Sequence, residues 1–200
     1  MDKVILIATN NQGKAIEFRN MLEPRGYEVK TLAEFPELPE IEETGSTFEE
    51  NALLKANTLH DLTGKIVMAD DSGLKVDALN GEPGIYSARY SGKDHDDVAN
   101  YTKLIKELEG LSIDERTAHF HTVLAVVGPD REPMVVEGSV DGYILEEPIG
   151  HNGFGYDPVF YVEEFGKSFA QIPIEEKNKV SHRARALKKL DAQFDDWLGE

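Results

Sequence analysis

Asp70 and Asp71 follow directly on the apolar run Ile66–Ala69, and Glu42 and Glu43 stand in an acidic stretch upstream. Carboxylates grouped in this way suit a hard divalent cation, which takes one or two of them and completes its shell with waters and phosphate oxygens. One such carboxylate can equally orient or deprotonate an attacking water. A chain with 38 acidic residues also places many of them in loops for solvation alone, and that reading holds well for Glu42 or Glu43 taken singly. It is weaker for Asp70 and Asp71, because two adjacent acids at the end of a buried strand suffer desolvation and mutual repulsion unless a cation compensates.

A second constellation is Thr9-Asn10-Asn11-Gln12-Gly13-Lys14, a turn between an apolar run and a helical pattern. Backbone N–H groups and the helix dipole favour an anion there, and Lys14 adds positive charge. GxxxxGK[ST] is absent, so an ordinary strand-to-helix turn remains an equal reading. In Gly153-Phe154-Gly155-Tyr156-Asp157-Pro158 an aromatic ring lies between two glycines, which suits stacking on a flat ring; a glycine-rich hairpin is the alternative. Lys177 and Ser181-His182-Arg183 place cationic and hydrogen-bonding side chains at a helix start, where the dipole disfavours positive charge and an anionic partner would be welcome. His119 and His121 share one face of a strand and could hold a metal with a third ligand, although strand-surface positions account for them better. Tyr86, Arg89 and Tyr90 suit either a ligand or loop packing. HExxH, GxSxG and a Nudix-type run are all missing, so those hydrolase chemistries have no support.

The elements that must carry these groups alternate in type, which points to an α/β fold. Lys3–Ala8 reads as a strand covered on both faces, followed by a helix that Pro24 and Gly26 would close. Glu28–Leu32 is a second strand, and Pro36–Thr44 is an acidic loop outside the core. Thr47-Phe48-Glu49-Glu50 has the spacing of a capping box, and Phe48, Ala52, Leu53, Ala56 and Leu59 form one helical stripe ending at Gly64. Ile66–Ala69 is a buried strand with Asp70 and Asp71 at its C-terminal end, where ligand sites of open α/β sheets collect. A long irregular stretch, 80–92, leads to a helix over 96–108. Two strands, 119–127 and 134–145, joined at Gly128-Pro129-Asp130, suggest a hairpin and a second lobe. A short strand at 159–162 follows, and the repeat of Val180, Ala184, Leu187, Leu190, Phe194 and Leu198 predicts a C-terminal helix with Ser181 as N-cap.

Composition narrows the functions available. Of 200 residues, 40% are apolar and 30% charged, the mix of an ordinary folded domain. Lys and Arg number 21 against 38 Asp and Glu, so the net charge of −17 would repel polymeric nucleic acid and anionic membranes. A phosphate-bearing ligand must therefore meet a local exception or arrive with a cation. The lack of cysteine removes disulfides, thiolate metal sites and thiol nucleophiles. The first apolar run is too short for a signal segment or a membrane span, which makes the cytoplasm the expected location.

Taken in order, TNNQGK, EETGSTFEENALLKA, ADDSGL, NGEPGIYSARYSG, GFGYDP and EEKNKVSHRA resemble the inosine triphosphate pyrophosphatase family, also called XTP/dITP diphosphatases. The resemblance runs essentially end to end and implies a single domain over 1–200. That family's fold is a long, central, twisted mixed sheet flanked by helices, in two lobes with an active-site cleft between them, and it usually assembles as a homodimer. Its reaction is Mg²⁺-dependent hydrolysis of ITP, dITP and XTP to the monophosphate and pyrophosphate. By resemblance, Thr9, Asn10, Asn11, Gln12, Gly13 and Lys14 hold the triphosphate. Asp71 is the proton-accepting and metal-associated aspartate, Ser72 its substrate-contacting neighbour, and Glu43 the metal-linked glutamate. Phe154, Gly155, Tyr156, Asp157, Lys177, His182 and Arg183 match the nucleoside-recognition positions. A Maf-like nucleotide pyrophosphatase is the alternative enzyme, disfavoured because TNNQGK replaces its SPRR-type turn. A non-catalytic nucleotide sensor is the alternative outside catalysis, disfavoured because a sensor does not need Glu43, Asp70 and Asp71.

Overall fold

The computed structural model describes residues 3–9, 12–39, 41–93 and 95–199. Seven strands form one hydrogen-bonded sheet in the order β2-β1-β3-β4-β5-β6-β7. They are β1 (Val4–Ile7), β2 (Glu28–Thr31), β3 (Ile66–Val76), β4 (Thr117–Val127), β5 (Met134–Ile144), β6 (Phe160–Val162) and β7 (Lys167–Ser168). The sheet is mixed: β1 runs parallel to β2 and β3, whereas β5, β6 and β7 pair antiparallel. Its helices are α1 (Gln12–Leu22), α2 (Phe48–Thr63), α3 (Asp97–Glu107), α4 (Ile174–Val180) and α5 (His182–Leu198).

The chain divides into two compact units. The first comprises residues 1–71, 122–137 and 186–200, the second 72–121 and 138–185. Each has its own apolar core. In the first, Ile5 and Ile7 of β1, Phe18 and Leu22 of α1, Met68 of β3, Leu124 and Val126 of β4, and Leu190 and Phe194 of α5 are buried together. In the second, Leu74, Leu104, Phe120, Val140, Phe160 and Phe169 form the centre.

Local chemistry explains most boundaries. Thr47 Oγ1 accepts from Glu50 N at 3.1 Å and starts α2 as the capping spacing predicts, and the Glu50 carboxylate in turn accepts from Ser46 N at 2.7 Å and from the Thr47 amide. Gly64 closes α2, its N–H donating to the His60 carbonyl at 2.7 Å. Two expectations need correcting. β3 does not end at Ala69 but continues through Asp70, Asp71, Ser72 and Gly73 to Val76, because Leu74 and Val76 supply buried apolar positions beyond the acids. The last helix starts at His182 after the N-cap Ser181, as expected, with Ser181 Oγ accepting from Ala184 N at 3.2 Å, but Val180 is not part of its stripe: the extended backbone of Ser181 leaves Val180 as the last residue of the separate helix α4. The stretch 80–92 contains a 3-10 helix over Gly84–Arg89, pinned where Leu74 N donates to Ser87 Oγ at 2.9 Å.

Candidate active site

Parallel pairing of β1 with β3 ends at Ile7 and Met68, so Asp70 and Asp71 lie just past the carboxyl edge of the parallel strands. Both carboxylates are buried. Lys14, near the start of α1, donates from Nζ to Asp70 Oδ2 at 2.6 Å, and the acid in this pair is only 2% exposed. α2 brings two further groups from the opposite direction in sequence. Lys55 Nζ donates to Glu43 Oε1 at 2.5 Å and to the Asp70 carbonyl at 2.7 Å. Asn51, 1% exposed, donates from Nδ2 to Asp71 Oδ2 at 3.0 Å while its Oδ1 accepts from Gly45 N at 2.8 Å. The Gly45 amide fixes which way the Asn51 amide faces, so it is the NH₂ that meets Asp71. The same side chain ties the loop after Glu43 to the carboxylate of β3.

Electrostatics follow from that packing. Burial pushes the Asp71 carboxyl up to about 6, and Glu43 and Asp70 add repulsion; the Lys55 ammonium and the Asn51 hydrogen bond oppose the rise. Burial would lower Lys55, but Asp70, Asp71 and Glu43 outweigh it and raise its pKa. Three carboxylates (Glu43, Asp70, Asp71) against two ammonium groups (Lys14, Lys55) leave this cluster at −1 when all are ionised. That is an oxygen-donor site of the kind a hard divalent ion prefers. Among the described residues no group of three or more His, Asp or Glu side chains is gathered closely enough to hold an ion alone. An ion here would therefore take one or two carboxylates and fill its remaining positions with water or phosphate. No third ligand of this kind among the described residues joins His119 and His121, which lie half-buried on β4.

Of the anion-binding turn, Thr9 is buried after β1, with its N–H on the Ile7 carbonyl at 2.8 Å. Gln12 and Gly13 open α1, and Asn10 and Asn11 lie outside the described residues. The first unit thus brings Lys14, Glu43, Asp70 and Asp71 together. Lys55 and Asn51 are additions that sequence reasoning missed.

The second unit contains Ser72 on β3 and all the remaining candidates. Phe154 is 56% exposed at the tip of the loop 150–158. Lys177 Nζ lies 5.0 Å from the centre of its ring and donates to Asp157 Oδ2, which also accepts from Phe154 N at 3.0 Å. Burial raises the Asp157 carboxyl, with Lys177 and the Phe154 amide opposing. Tyr156 points inward and donates its hydroxyl to the Ser87 carbonyl at 2.8 Å. His182 is buried with its ring stacked on Phe120, centroids 5.0 Å apart and planes at 14°. Arg183 is buried beside it in sequence at the start of α5. This unit presents one exposed aromatic face close to a buried ammonium, with further nitrogen donors at the opening of a helix.

The model of the Ham1 family matches residues 5–193. The chain belongs to the Ham1 family. Among its relatives, the dITP/XTP pyrophosphatase of Bacillus licheniformis is 58% identical over 193 residues, covering 96% of this chain and 98% of the relative. The dITP/XTP pyrophosphatase of Bacillus subtilis is 55% identical over 188 residues, covering 94% and 95%. The solved Ham1 protein of Staphylococcus aureus superposes with a TM-score of 0.90 at 46% identity, over 96% of this chain and 98% of the other. The solved nucleoside-triphosphatase / dITP/XTP pyrophosphatase of Mycobacterium abscessus superposes with a TM-score of 0.81 at 45% identity, over 94% of this chain and 97% of the other. Three of these four, those of Bacillus licheniformis, Bacillus subtilis and Mycobacterium abscessus, are named dITP/XTP pyrophosphatases. No described helix is long and apolar enough to cross a membrane.

Proposed function

We propose that this protein hydrolyses the deaminated purine nucleotides ITP, dITP and XTP to the monophosphate and pyrophosphate, removing them from the nucleotide pool. The observation that carries the proposal is Asp71, a buried carboxylate whose pKa rises to about 6 among Glu43, Asp70, Lys55 and Asn51. Raised this far in the metal-free site, the carboxyl is still ionised at neutral pH and is more basic than a free aspartate, and a bound cation would lower it again.

Glu43 and Asp71 would hold a divalent ion, Mg²⁺ by the family reading, with Asp70 in support. When bound, that ion supplies positive charge to the phosphate tail and the departing pyrophosphate. The chain's own groups do the rest. Asn51 holds the plane of the Asp71 carboxylate, which orients a water and takes its proton as the oxygen attacks the α-phosphorus in line. The bond from the α-phosphorus to its bridging oxygen breaks, and pyrophosphate leaves with that electron pair. Lys14 and the amides of the turn 9–14 stabilise its charge. Lys55 keeps Glu43 and the Asp70 backbone in place.

In the second unit Phe154 offers its exposed face to the purine, and Lys177, His182 and Arg183 supply donors for a 6-oxo group. Adenine presents the opposite pattern at that edge. A donor left unpaired in a buried site costs about 1–3 kcal/mol, or roughly ten- to a hundredfold in kcat/KM. The proposal extends to a homodimer in the cytoplasm, where the nucleotide pool resides, acting on small nucleotides and not on polymeric nucleic acid. Its test is pyrophosphate release with Mg²⁺ from ITP, dITP, XTP and the four standard triphosphates. Preference for the first three supports the reading, and a flat profile would replace it with a general nucleoside triphosphatase.

A further inference from the structure

Two consecutive backbone amides in the loop 150–158 are each held by a carboxylate. Phe154 N donates to Asp157 Oδ2 at 3.0 Å, within the loop, and Gly155 N donates to Asp97 Oδ2 at 2.7 Å, across to the first residue of α3. We infer that Asp97 is a positioning residue for base recognition: by gripping the Gly155 amide it fixes the loop that presents Phe154, and so sets affinity and selectivity for the purine. The inference rests on the reading of Phe154 as the stacking platform.

The loop needs such an external anchor at this point. Gly155 has φ +61, and a Cβ built there meets no atom within 4 Å, so side-chain packing does not locate this part of the backbone. Gly153 is the opposite case: a Cβ there would lie 1.9 Å from Asp157 Oδ2, so the inner side of the loop is already tight against its own acid. Behind the tip, Tyr156 fastens the chain to the Ser87 carbonyl. Asp97 is the clamp that adjoins the exposed ring. Its charge also reaches this loop, since it raises both Tyr156 and Asp157, secondary to burial in each case.

The competing explanation is that Asp97 only supplies negative charge to the first turn of α3, where Asp96 is already the N-cap and accepts from Ala99 N at 3.1 Å. Substitutions separate the two. Asp97→Asn keeps an acceptor oxygen in the same place and drops the charge. Asp97→Glu keeps the charge and displaces the oxygen by one methylene. Asp97→Ala removes both. The readouts are kcat and KM for ITP and ATP by pyrophosphate release, the affinity for inosine monophosphate without metal, and the melting temperature.

If Asp97 positions the loop, Asp97→Ala raises KM for ITP and weakens inosine monophosphate by about tenfold with kcat nearly unchanged, which narrows the ITP to ATP ratio. Asp97→Asn then stays close to wild type, and Asp97→Glu resembles the alanine variant. The proposal is overturned if Asp97→Glu behaves as wild type while Asp97→Asn is impaired, or if Asp97→Ala binds inosine monophosphate normally. Should Asp97→Ala fail to fold, the asparagine and glutamate pair alone decides. A wild-type protein that neither hydrolyses ITP nor binds inosine monophosphate overturns the functional reading itself, and this proposal with it.

Discussion

Replacing Asp71 by asparagine should abolish turnover and make the metal-free protein more stable, a combination that ordinary core damage does not produce. In the folded chain the carboxyl titrates at about 6 in place of its usual 3.8, chiefly because it is buried. Between those values the folded protein holds a proton that the unfolded chain has released. Stability therefore falls as pH rises through this window, and the penalty is complete above pH 6. Its size is about 3 kcal/mol at neutral pH, taking about 1.4 kcal/mol for each tenfold change in proton affinity. The neutral amide of the Asp71→Asn variant would carry no such penalty, and its side-chain oxygen can still accept from Asn51 Nδ2, which in the native chain meets Asp71 Oδ2 at 3.0 Å. A chain of this length shifts its melting temperature by about 2–4 °C per kcal/mol, so the variant should melt several degrees above wild type at pH 7.5 in EDTA. The assay is thermal unfolding of both proteins by circular dichroism from pH 4 to pH 8. The gap should close toward pH 4, and magnesium should narrow it at pH 7.5 by stabilising the wild type. A variant that is less stable at neutral pH, or a gap that ignores pH, would refute the electrostatic reasoning.

The same carboxylate sets the acid limb of catalysis: initial rates should fall as pH drops through about 6, with the midpoint moving lower as magnesium rises, and a limb indifferent to metal would separate Asp71 from the ion. Lys55→Met removes the ammonium from Glu43 Oε1 and from the Asp70 carbonyl, so kcat/KM should drop more than about tenfold and the acid limb should shift to higher pH; an unchanged pH profile would count against its role. Lys14→Ala should act mainly through KM for the triphosphate, and unaltered KM and kcat would disprove phosphate engagement by that turn. Gly153→Ala should lose base affinity together with more than about 2 kcal/mol of stability, since its Cβ would stand 1.9 Å from Asp157 Oδ2 at φ +77; normal melting and binding would show that the loop yields freely.

Local rules that act over a few residues were readable without a structure. The start of α2 at Thr47, its stop at Gly64, and the N-cap at Ser181 all follow from side chains meeting nearby amides or from a left-handed glycine. The apolar runs of β1 and β4 likewise announce buried strands. The course of β3 was less legible, because Asp70 and Asp71 look like a strand end until Leu74 and Val76 are seen to be buried. Residue type and spacing pointed to Lys14 and to the pairs Glu42/Glu43 and Asp70/Asp71, and the family resemblance singled out Glu43 and Asp71, whereas Asn51 and Lys55 were not visible. A signal for them existed: four residues apart, they fall on the same face of α2 as Phe48 and Leu59, and polar groups on an apolar stripe require buried partners. Those partners, Gly45, Asp71, Glu43 and Asp70, come from loop and strand segments that only tertiary folding brings to the helix. Asp97 is similar, since its partner Gly155 lies 58 residues away.

The most direct test of the reaction as drawn is the fate of solvent oxygen. ITP turned over with magnesium in ¹⁸O-water should yield inosine monophosphate carrying one heavy oxygen and unlabelled pyrophosphate, as seen by mass spectrometry. Label in the pyrophosphate, or release of orthophosphate, would mean that water attacks elsewhere along the chain and that Asp71 does not face the α-phosphorus.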